Sequence, residues 1–182
     1  MLRVDSDQLI SFFDRHAWLR SPLKWVLLNI MAPFLMIFGA RNRKRKAVLF
    51  VGQAYYNSWY LSRALRKLGW KADLLNYDLN AETKGYYHGE DFNYVGQNQN
   101  LLGAQFIFFF RSLFKYDIFH FANQGGLQFG DELYKTCTEI FEEPGIEVLI
   151  LKSLGKKIIY SHNGCTDGVS QTAFGNWGVN SP

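Results

Sequence analysis

Cysteine and proline are scarce in this chain, which narrows the classes of protein to which it can belong. Its 182 residues include two cysteines and four prolines. Cys137 and Cys165 stand in no C-x-x-C spacing, so the sequence predicts neither a zinc ribbon nor a disulfide framework. Two isolated thiols and the lack of any N-x-[ST] glycosylation site are typical of a reducing compartment.

Sequence motifs of several large enzyme classes are also missing. No G-x-G-x-x-G follows the first predicted strand and no G-x-x-x-x-G-K-[ST] occurs, which argues against a Rossmann dehydrogenase and a P-loop NTPase. No G-x-S-x-G elbow marks the nucleophile of an α/β-hydrolase. His120 and His162 stand in no spacing typical of zinc ligands, so we expect no metal site.

Positive charge is concentrated in one short cluster. Charged residues make up 20% of the chain and the formal net charge is +4, so the composition is that of a globular protein. The cluster that directly follows the most apolar stretch consists of Arg41, Arg43, Lys44, Arg45 and Lys46. Basic residues are not interleaved with aromatic ones, so we expect no nucleic-acid partner. A basic cluster beside an apolar run indicates a membrane surface instead.

Residues 1–46 are predicted to form an N-terminal helical segment. Residues 1–20 have the pattern of an amphipathic helix, capped by Ser6 or Asp7. Residues 23–40 are strongly apolar, with Pro33 in the middle, and are shorter than the roughly 20 residues of a spanning helix. They also make a poor signal peptide, because the preceding region is long and carries acidic residues.

Three interpretations of this apolar stretch remain open: a buried core helix, a helix lying in the membrane interface and a spanning helix. In the interfacial case, Trp18 and Trp25 would lie at headgroup level and the basic cluster would contact anionic lipid. In the spanning case, the positive flank would place the rest of the chain in the cytoplasm. We therefore expect a cytoplasmic protein at the inner face of a membrane.

Residues 47–182 read as a Rossmann-like α/β domain. Residues 47–51 are an unbroken apolar run that Gly52 ends, which predicts a strand covered on both faces. A helix capped by Asn57 or Ser58 and closed by Gly69 follows, and residues 71–77 form the next strand. This βαβ unit predicts an open parallel sheet with helices on both faces.

The remaining chain continues the alternation of strands and helices. We expect a long polar loop over residues 80–100, which would be functional or mobile. The apolar patterns predict a helix over 101–114, a strand over 117–121, helices over 131–141 and 146–154, and a strand over 156–161.

Polar residues follow three of the predicted strands, at the edge where open α/β sheets bind ligands. The candidate ligand-binding residues are Gly52, Gln53, Asn123, Gln124, Asn163 and Gly164, with His162 as the candidate catalytic residue. Amides, glycine N–H groups and histidine suit a neutral polyhydroxyl ligand better than a bare phosphate. His162 would donate to a substrate hydroxyl or act as a base, and its alternative role is a structural cap. For His120, a structural role is favoured.

Four segments together resemble a known family. They are AVLFVG, LRKLGWKADLL, YDIFHFAN and LKSLGKKIIYSHNG. Their order over residues 46–168 is similar to the N-terminal half of GT-B glycosyltransferases, especially the large retaining family (group 1, family 4) that uses nucleotide sugars. The resemblance implies two Rossmann-like domains with the active site in the cleft between them. It places Gly52 in the glycine loop at that cleft and His162 against the sugar or the acceptor.

The resemblance also implies which partners the domain has. The N-terminal half of such an enzyme holds the acceptor, here a glycan or a lipid-linked sugar, and the nucleotide sugar is a co-substrate held by a C-terminal donor domain. No cofactor is expected in this chain. The given sequence ends before the donor domain would begin, so we expect a fragment or a separate donor chain. The alternative is a non-catalytic glycosyltransferase-like binding or partner subunit with the same fold.

Overall fold

A computed structural model describes residues 5–52, 56–77, 89–94, 96–97, 100–122, 127–143 and 145–161. The described strands are β1 (Ala47–Gly52), β2 (Lys71–Asn76), β3 (Phe92–Asn93), β4 (Ile118–Ala122) and β5 (Lys157–Ser161). The helices are α1 (Ser6–Arg15), α2 (Ala17–Ala40), α3 (Tyr56–Lys67), α4 (Leu101–Lys115), α5 (Asp131–Phe141) and α6 (Ile146–Ser153).

The five strands form one parallel sheet in the order β3-β2-β1-β4-β5. β1 is central and all six of its residues are buried, as its unbroken apolar run predicts. β2, the next strand in the sequence, lies on one side of β1, and β4 lies on the other side. The predicted fold class, an open parallel α/β sheet preceded by an apolar helix, is confirmed.

Helices cover both faces of the sheet, but unequally. Helix α3 covers one face, where Trp59 and Leu65 pack on Val48, Phe50 and Leu74. The other face carries the larger core, to which α2, α4, α5 and α6 all contribute buried side chains. The members of this core that come from the sheet are Leu49, Val51, Leu75, Phe119 and Phe121. The N-terminal helices therefore belong to the thicker of the two helical layers.

Several predicted boundaries are correct and others are not. Gly69 has a φ of +76°, so it ends α3 in the left-handed conformation that the sequence predicts. The cap of α1 is Asp5, whose side chain accepts from the Asp7 backbone N–H at 3.0 Å, and not Ser6 or Asp7. Helix α3 includes residues 57 and 58, so neither of the predicted caps stands before it.

The strand β3 lies inside the stretch that the sequence predicts to be a continuous loop. Asp91, directly before β3, accepts from the Leu74 backbone N–H at 2.9 Å. Its carboxylate also pairs with Arg63 at 3.0 Å and Arg66 at 2.8 Å. These contacts hold residues 91–93 against β2. The contacts join residues that are distant in the sequence. The local sequence pattern therefore predicts a loop here and not a strand.

Helix α2 is longer than the sequence predicts, since it runs unbroken through Pro33. The π-helical turn Leu27–Met31 ends two residues before Pro33, so the wider turn lies where proline lacks an N–H to donate. By length and composition, this 24-residue helix could cross a membrane. Gly39, the residue before its last, has a non-helical φ of +99°, and the Arg43 side chain lies against Gly39 where a Cβ would be.

Polar contacts join the N-terminal helices to α5 and to the turn after it. Ser6 Oγ donates to Glu132 Oε2 at 2.8 Å. Arg20 pairs with Glu142 at 2.7 Å, and Lys24 pairs with Glu143 at 2.6 Å. Together with the buried Leu35, these contacts make α1 and α2 a packed layer of the domain.

Candidate functional site

The carboxyl ends of all five strands lie level along one edge of the sheet. In the strand register, Gly52 stands opposite Asn76 on one side and Ala122 on the other. Asn93 pairs with Asn76, and Ser161 pairs with Ala122. The chain therefore leaves β1, β4 and β5 at neighbouring positions, as expected for the candidate loops. The crevice between β1 and β4 is the point where the direction of strand addition reverses, which is where such sheets bind ligands.

Gly52 occupies the centre of this edge, and its conformation requires glycine. Its φ of +145° lies in the region that side chains rarely adopt. Its carbonyl oxygen accepts from the Tyr77 backbone N–H at 3.1 Å, which ties β1 to the end of β2. Glycine therefore suits the backbone conformation with which the chain leaves β1.

Of the predicted ligand-binding and catalytic residues, the structure describes Gly52. The other six, Gln53, Asn123, Gln124, His162, Asn163 and Gly164, lie outside the described residues. The structure therefore places the strand ends from which these residues follow, and the roles of the six side chains stay predictions.

The His120 side chain contacts residues of the neighbouring strands. Its Nε2 lies 2.9 Å from Ser161 Oγ, and its ring centroid is 4.9 Å from that of Phe50. Burial lowers the pKa of His120, which favours the neutral ring. His120 therefore links the ends of β4 and β5.

Two buried polar residues at this edge were missed by the sequence reasoning. Asn76, the last residue of β2, is 4% exposed. Tyr94 is also buried, and its hydroxyl donates to the Phe129 carbonyl oxygen at 2.9 Å. Burial raises the pKa of Tyr94, so its hydroxyl stays protonated. Asn76 could have been chosen as a candidate from the sequence, because it is an amide at the carboxyl end of a predicted strand. Tyr94 could not, because it lies in the stretch that the sequence predicts to be a polar loop.

A second candidate surface is the outer face of α2. From residue 25 to residue 40, two exposed residues alternate with two that are buried or partly buried. An α-helix has 3.6 residues per turn, so a repeat of four would drift around it by about 40° each turn. The π-helical turns Leu27–Met31 and Met36–Ala40 are wider and keep the repeat on one side. The outward apolar residues are Trp18, Trp25, Val26, Ile30, Phe34, Ile37 and Phe38.

The residues that are predicted to contact a membrane differ in their exposure to solvent and in their contacts within the protein. Trp18 is 72% exposed and Trp25 is 59% exposed. In the basic cluster, Arg41, Arg43, Lys44 and Lys46 are exposed. Arg45 is engaged within the protein, since it pairs with Asp117 and donates to the Phe114 carbonyl oxygen at 2.8 Å.

An apolar cavity between α1, α2, α4, α5 and α6 is a third feature, which the sequence did not indicate. It has a volume of about 260 Å³. The surface that faces the cavity is apolar, although Thr136 and Glu147 are among the residues around it. Glu147 is 1% exposed, and burial raises its pKa to about 7, with the backbone N–H groups of Glu147 and Phe129 limiting the rise.

Within the described residues, no group of three or more His, Cys, Asp or Glu side chains could hold a metal ion. Comparison with models of protein families, with curated protein sequences and with solved structures finds no significant match. The functional argument therefore depends on the geometry of the sheet edge, the outer face of α2 and the apolar cavity.

Proposed function

We propose that this protein is the acceptor-binding half of a GT-B-like glycosyltransferase, attached to a membrane surface without crossing it. The observation that carries the proposal is the exposed apolar face of α2, which lies in the same domain as a level, glycine-centred sheet edge. An enzyme that acts on a lipid-linked acceptor needs both features together: a surface that binds lipid and an edge that binds sugar.

The packing of α2 favours attachment in the interface over spanning. Its inner face contributes Ala32, Leu35 and Ala40 to the core, each at most 3% exposed. A spanning helix would have to leave this core, and Arg20 and Lys24 would have to leave Glu142 and Glu143. An interfacial helix keeps those contacts and buries only its outer side in lipid.

The exposed cations strengthen this attachment. Arg41, Arg43, Lys44 and Lys46 follow directly after the apolar face, so they can reach the headgroups while Ile37 and Phe38 enter the acyl region. Each basic residue near an anionic surface contributes about 1 kcal/mol. Anionic phospholipid of the cytoplasmic leaflet is the surface that suits this charge, which agrees with the expected localisation.

The sheet edge suits a neutral sugar. Gly52 contributes no side chain at the point where the chain leaves β1, beside the β1–β4 crevice. In the proposed function, the loops after β1, β4 and β5 bind the hydroxyl groups of the acceptor, and His162 is the base or the hydrogen-bond donor. The nucleotide sugar would be bound by a donor domain in a further part of the polypeptide or in a separate chain.

The experiment that tests this function is acceptor binding in lipid nanodiscs. A polyprenyl-diphosphate-linked saccharide is compared with the same lipid lacking the sugar, and we expect preference for the saccharide. His162→Ala should weaken that preference about tenfold, the value of one good hydrogen bond. His16→Ala is the matched control, because His16 bonds to the Phe12 carbonyl oxygen on α1, away from the sheet edge.

The outcomes separate the parts of the proposal. Equal binding of the two lipids by the unaltered chain would refute acceptor recognition. Preserved preference in His162→Ala would refute the role of that histidine alone. Acceptor binding without sugar transfer, once a donor domain is supplied, would favour the non-catalytic partner subunit.

A further inference from the structure

The apolar cavity is larger than the gaps that protein interiors ordinarily leave between packed side chains. Its volume is about 260 Å³, and residues of α1, α2, α4, α5 and α6 surround it. Packed interiors contain few voids larger than a water molecule. An engineered apolar cavity of about 150 Å³ in another protein stays dry and binds benzene. By the same measure, the present cavity holds on the order of ten carbon atoms.

The surface that faces the cavity suits hydrocarbon and no polar group. It exposes no polar atoms, although Thr136 and Glu147 are among the residues around it. Leu113, Leu133 and Ile150 form part of the inner wall, and each is at most 5% exposed. A hydroxyl, phosphate or carboxylate group that entered would lose its hydration without gaining a hydrogen bond. A hydrocarbon chain leaves water favourably and gains contacts with the wall.

The mouth of the cavity is formed by exposed apolar side chains of α2 and α4. Leu23, Phe106 and Phe110 all line the cavity, and they are 36%, 52% and 36% exposed. The rings of Phe106 and Phe110 stack with their centroids 6.5 Å apart. Leu23 lies on α2, the helix that carries the exposed apolar face. A chain that passes through this mouth therefore stays in contact with apolar surface while its polar head remains in solvent.

We propose that this cavity binds the end of one lipid acyl chain, which enters tail first and leaves its polar head outside the mouth. The site selects for the length of the hydrocarbon and not for the head, because the cavity offers no polar atom to any head group. It is separate from the sheet edge, and its binding does not depend on the glycosyltransferase proposal. Only the supply of the chain from a bilayer rests on the proposed membrane contact.

The first test titrates the folded chain in solution with n-alkyl maltosides, from hexyl to tetradecyl, below their micelle concentrations. Each methylene that enters the cavity should tighten binding about fourfold, as measured by calorimetry. The gain should end near decyl maltoside, since further carbons lie outside a cavity of about 260 Å³. A phosphocholine head on the same chain should leave the affinity nearly unaltered.

Two results of this series would overturn the proposal. Absence of saturable binding would show that the cavity takes no chain. An equal gain with every carbon up to tetradecyl maltoside would indicate adsorption on exposed apolar surface in place of a cavity of fixed size.

The direction of entry is tested by NMR with octyl maltoside. We expect nuclear Overhauser contacts from the terminal methyl group of the probe to the methyl groups of Leu133 and Ile150, and none from its maltose protons. Contacts from the maltose protons to these two residues would contradict tail-first entry. This measurement needs no variant of the protein.

Two variants then test the position of the mouth. Leu23→Trp adds bulk there and should weaken decyl maltoside binding about tenfold or more. Leu68→Trp makes the same change directly after α3, at a position that is 69% exposed, and it should leave binding unaltered. Circular dichroism verifies that both variants are folded. Equal affinity of the two folded variants would place the chain elsewhere and overturn the proposal.

The bilayer as the source of the chain is tested with vesicles of phosphatidylcholine that carries a photoreactive diazirine near the end of one acyl chain. We expect labelling of peptides from α5 and α6, which contribute Leu133 and Ile150 to the inner wall. Flotation of the protein without such labelling would overturn the acyl chain as the occupant. Loss of flotation would refute the membrane contact of the proposed function, whereas the solution series decides the cavity by itself.

Discussion

Lys156 Nζ lies 3.0 Å from Asp117 Oδ1, and both side chains are almost fully closed to solvent. Asp117 directly precedes β4 and Lys156 directly precedes β5, so the pair joins the amino-terminal ends of neighbouring strands. Arg45 adds its guanidinium at 2.9 Å, and the backbone N–H groups of Arg43 and Arg45 donate to the same carboxylate. The carboxylate thereby holds the segment that enters β1 as well.

Removal of this carboxylate is expected to destabilise the protein strongly. Asp117→Asn leaves the buried Lys156 ammonium without its counter-charge, which costs about 3–5 kcal/mol. Asp14→Asn is the matched control, because Asp14 pairs with Arg20 but its side chain is 62% exposed, and its loss should cost no more than about 1 kcal/mol. Urea unfolding followed by circular dichroism measures both. Equal losses of stability in the two variants would show that the buried Asp117–Lys156 pair contributes no more than an exposed ion pair.

The same carboxylate predicts a loss of stability in acid. Burial opposes ionisation of Asp117, but hydrogen bonds from Arg45 and Lys156 outweigh it and hold its pKa well below the usual range. Because the folded-state pKa is lowered, the stabilisation is complete above the unfolded value near 3.8 and is lost as pH falls through the folded value. Unfolding free energies measured from pH 6 downward should therefore fall less steeply in Asp117→Asn. Parallel curves would contradict this assignment.

Glu147 predicts the opposite dependence in a different range of pH. Its folded-state pKa of about 7 lies above the ordinary value of 4.5, because burial disfavours the charged form. The contribution of Glu147 to stability should be highest below about pH 4.5 and should fall by roughly 3 kcal/mol as pH rises from there through 7. Glu147→Gln should remove this fall.

The neighbouring ionisable groups do not obscure that comparison. Burial raises the pKa of Cys137 to about 12 and also raises that of Tyr94, so both titrate outside the window. Stability curves from pH 5 to pH 8 for the unaltered chain and Glu147→Gln give the difference directly. If both curves have the same slope, Glu147 does not titrate as the buried group described above.

Two residues of α2, two positions apart, test how this helix is packed. Leu35→Ala should cost about 2–5 kcal/mol, because Leu35 is 3% exposed in the main core. Ile37→Ala should change stability by less than about 0.5 kcal/mol, because Ile37 is 82% exposed. Chemical denaturation without lipid measures both. A Leu35→Ala variant as stable as Ile37→Ala would mean that α2 is detached from the domain, as a spanning helix would be.

Local sequence signals were sufficient for most of the fold. The apolar run of β1, the glycine that ends α3 and the βαβ spacing each follow from short-range chemistry, and the structure confirms them. β3 could not be found in this way, because two residues form a strand here only through the contacts that Asp91 makes with β2 and α3. A pattern of a few neighbouring residues cannot predict contacts between residues that are distant in the sequence.

The surfaces were harder to predict than the fold, for two physical reasons. Residues 25–40 are almost entirely apolar on both sides of α2, so no polar stripe distinguishes the outward face formed by Ile30 and Phe34 from the buried one. The cavity is lined from Leu9 to Ile150 by five separate helices, and only the folded chain brings these residues together. The roles of His162 and the loop residues rest on their predicted position after the strands and on the resemblance, and they stay predictions.

The measurement that tests the central claim most directly is flotation of the folded chain with vesicles of phosphatidylcholine and anionic phosphatidylglycerol. Point variants serve better than removal of residues 1–46, since that segment contributes Leu35 and Ala40 to the core. Ile37→Asp combined with Phe38→Asp removes two side chains that each contribute about 1.5–3 kcal/mol when buried in lipid. Leu68→Asp places one negative charge on an exposed leucine elsewhere, and each single variant, Ile37→Asp and Phe38→Asp, matches it in charge.

We predict that the unaltered chain and Leu68→Asp float with the vesicles, and that the double variant stays at the bottom of the gradient while remaining folded. Flotation should also weaken in high salt or with neutral vesicles, because four exposed cations contribute to binding. Flotation of the double variant to the same extent as the unaltered chain, or no flotation of either, would contradict attachment through the outer face of α2.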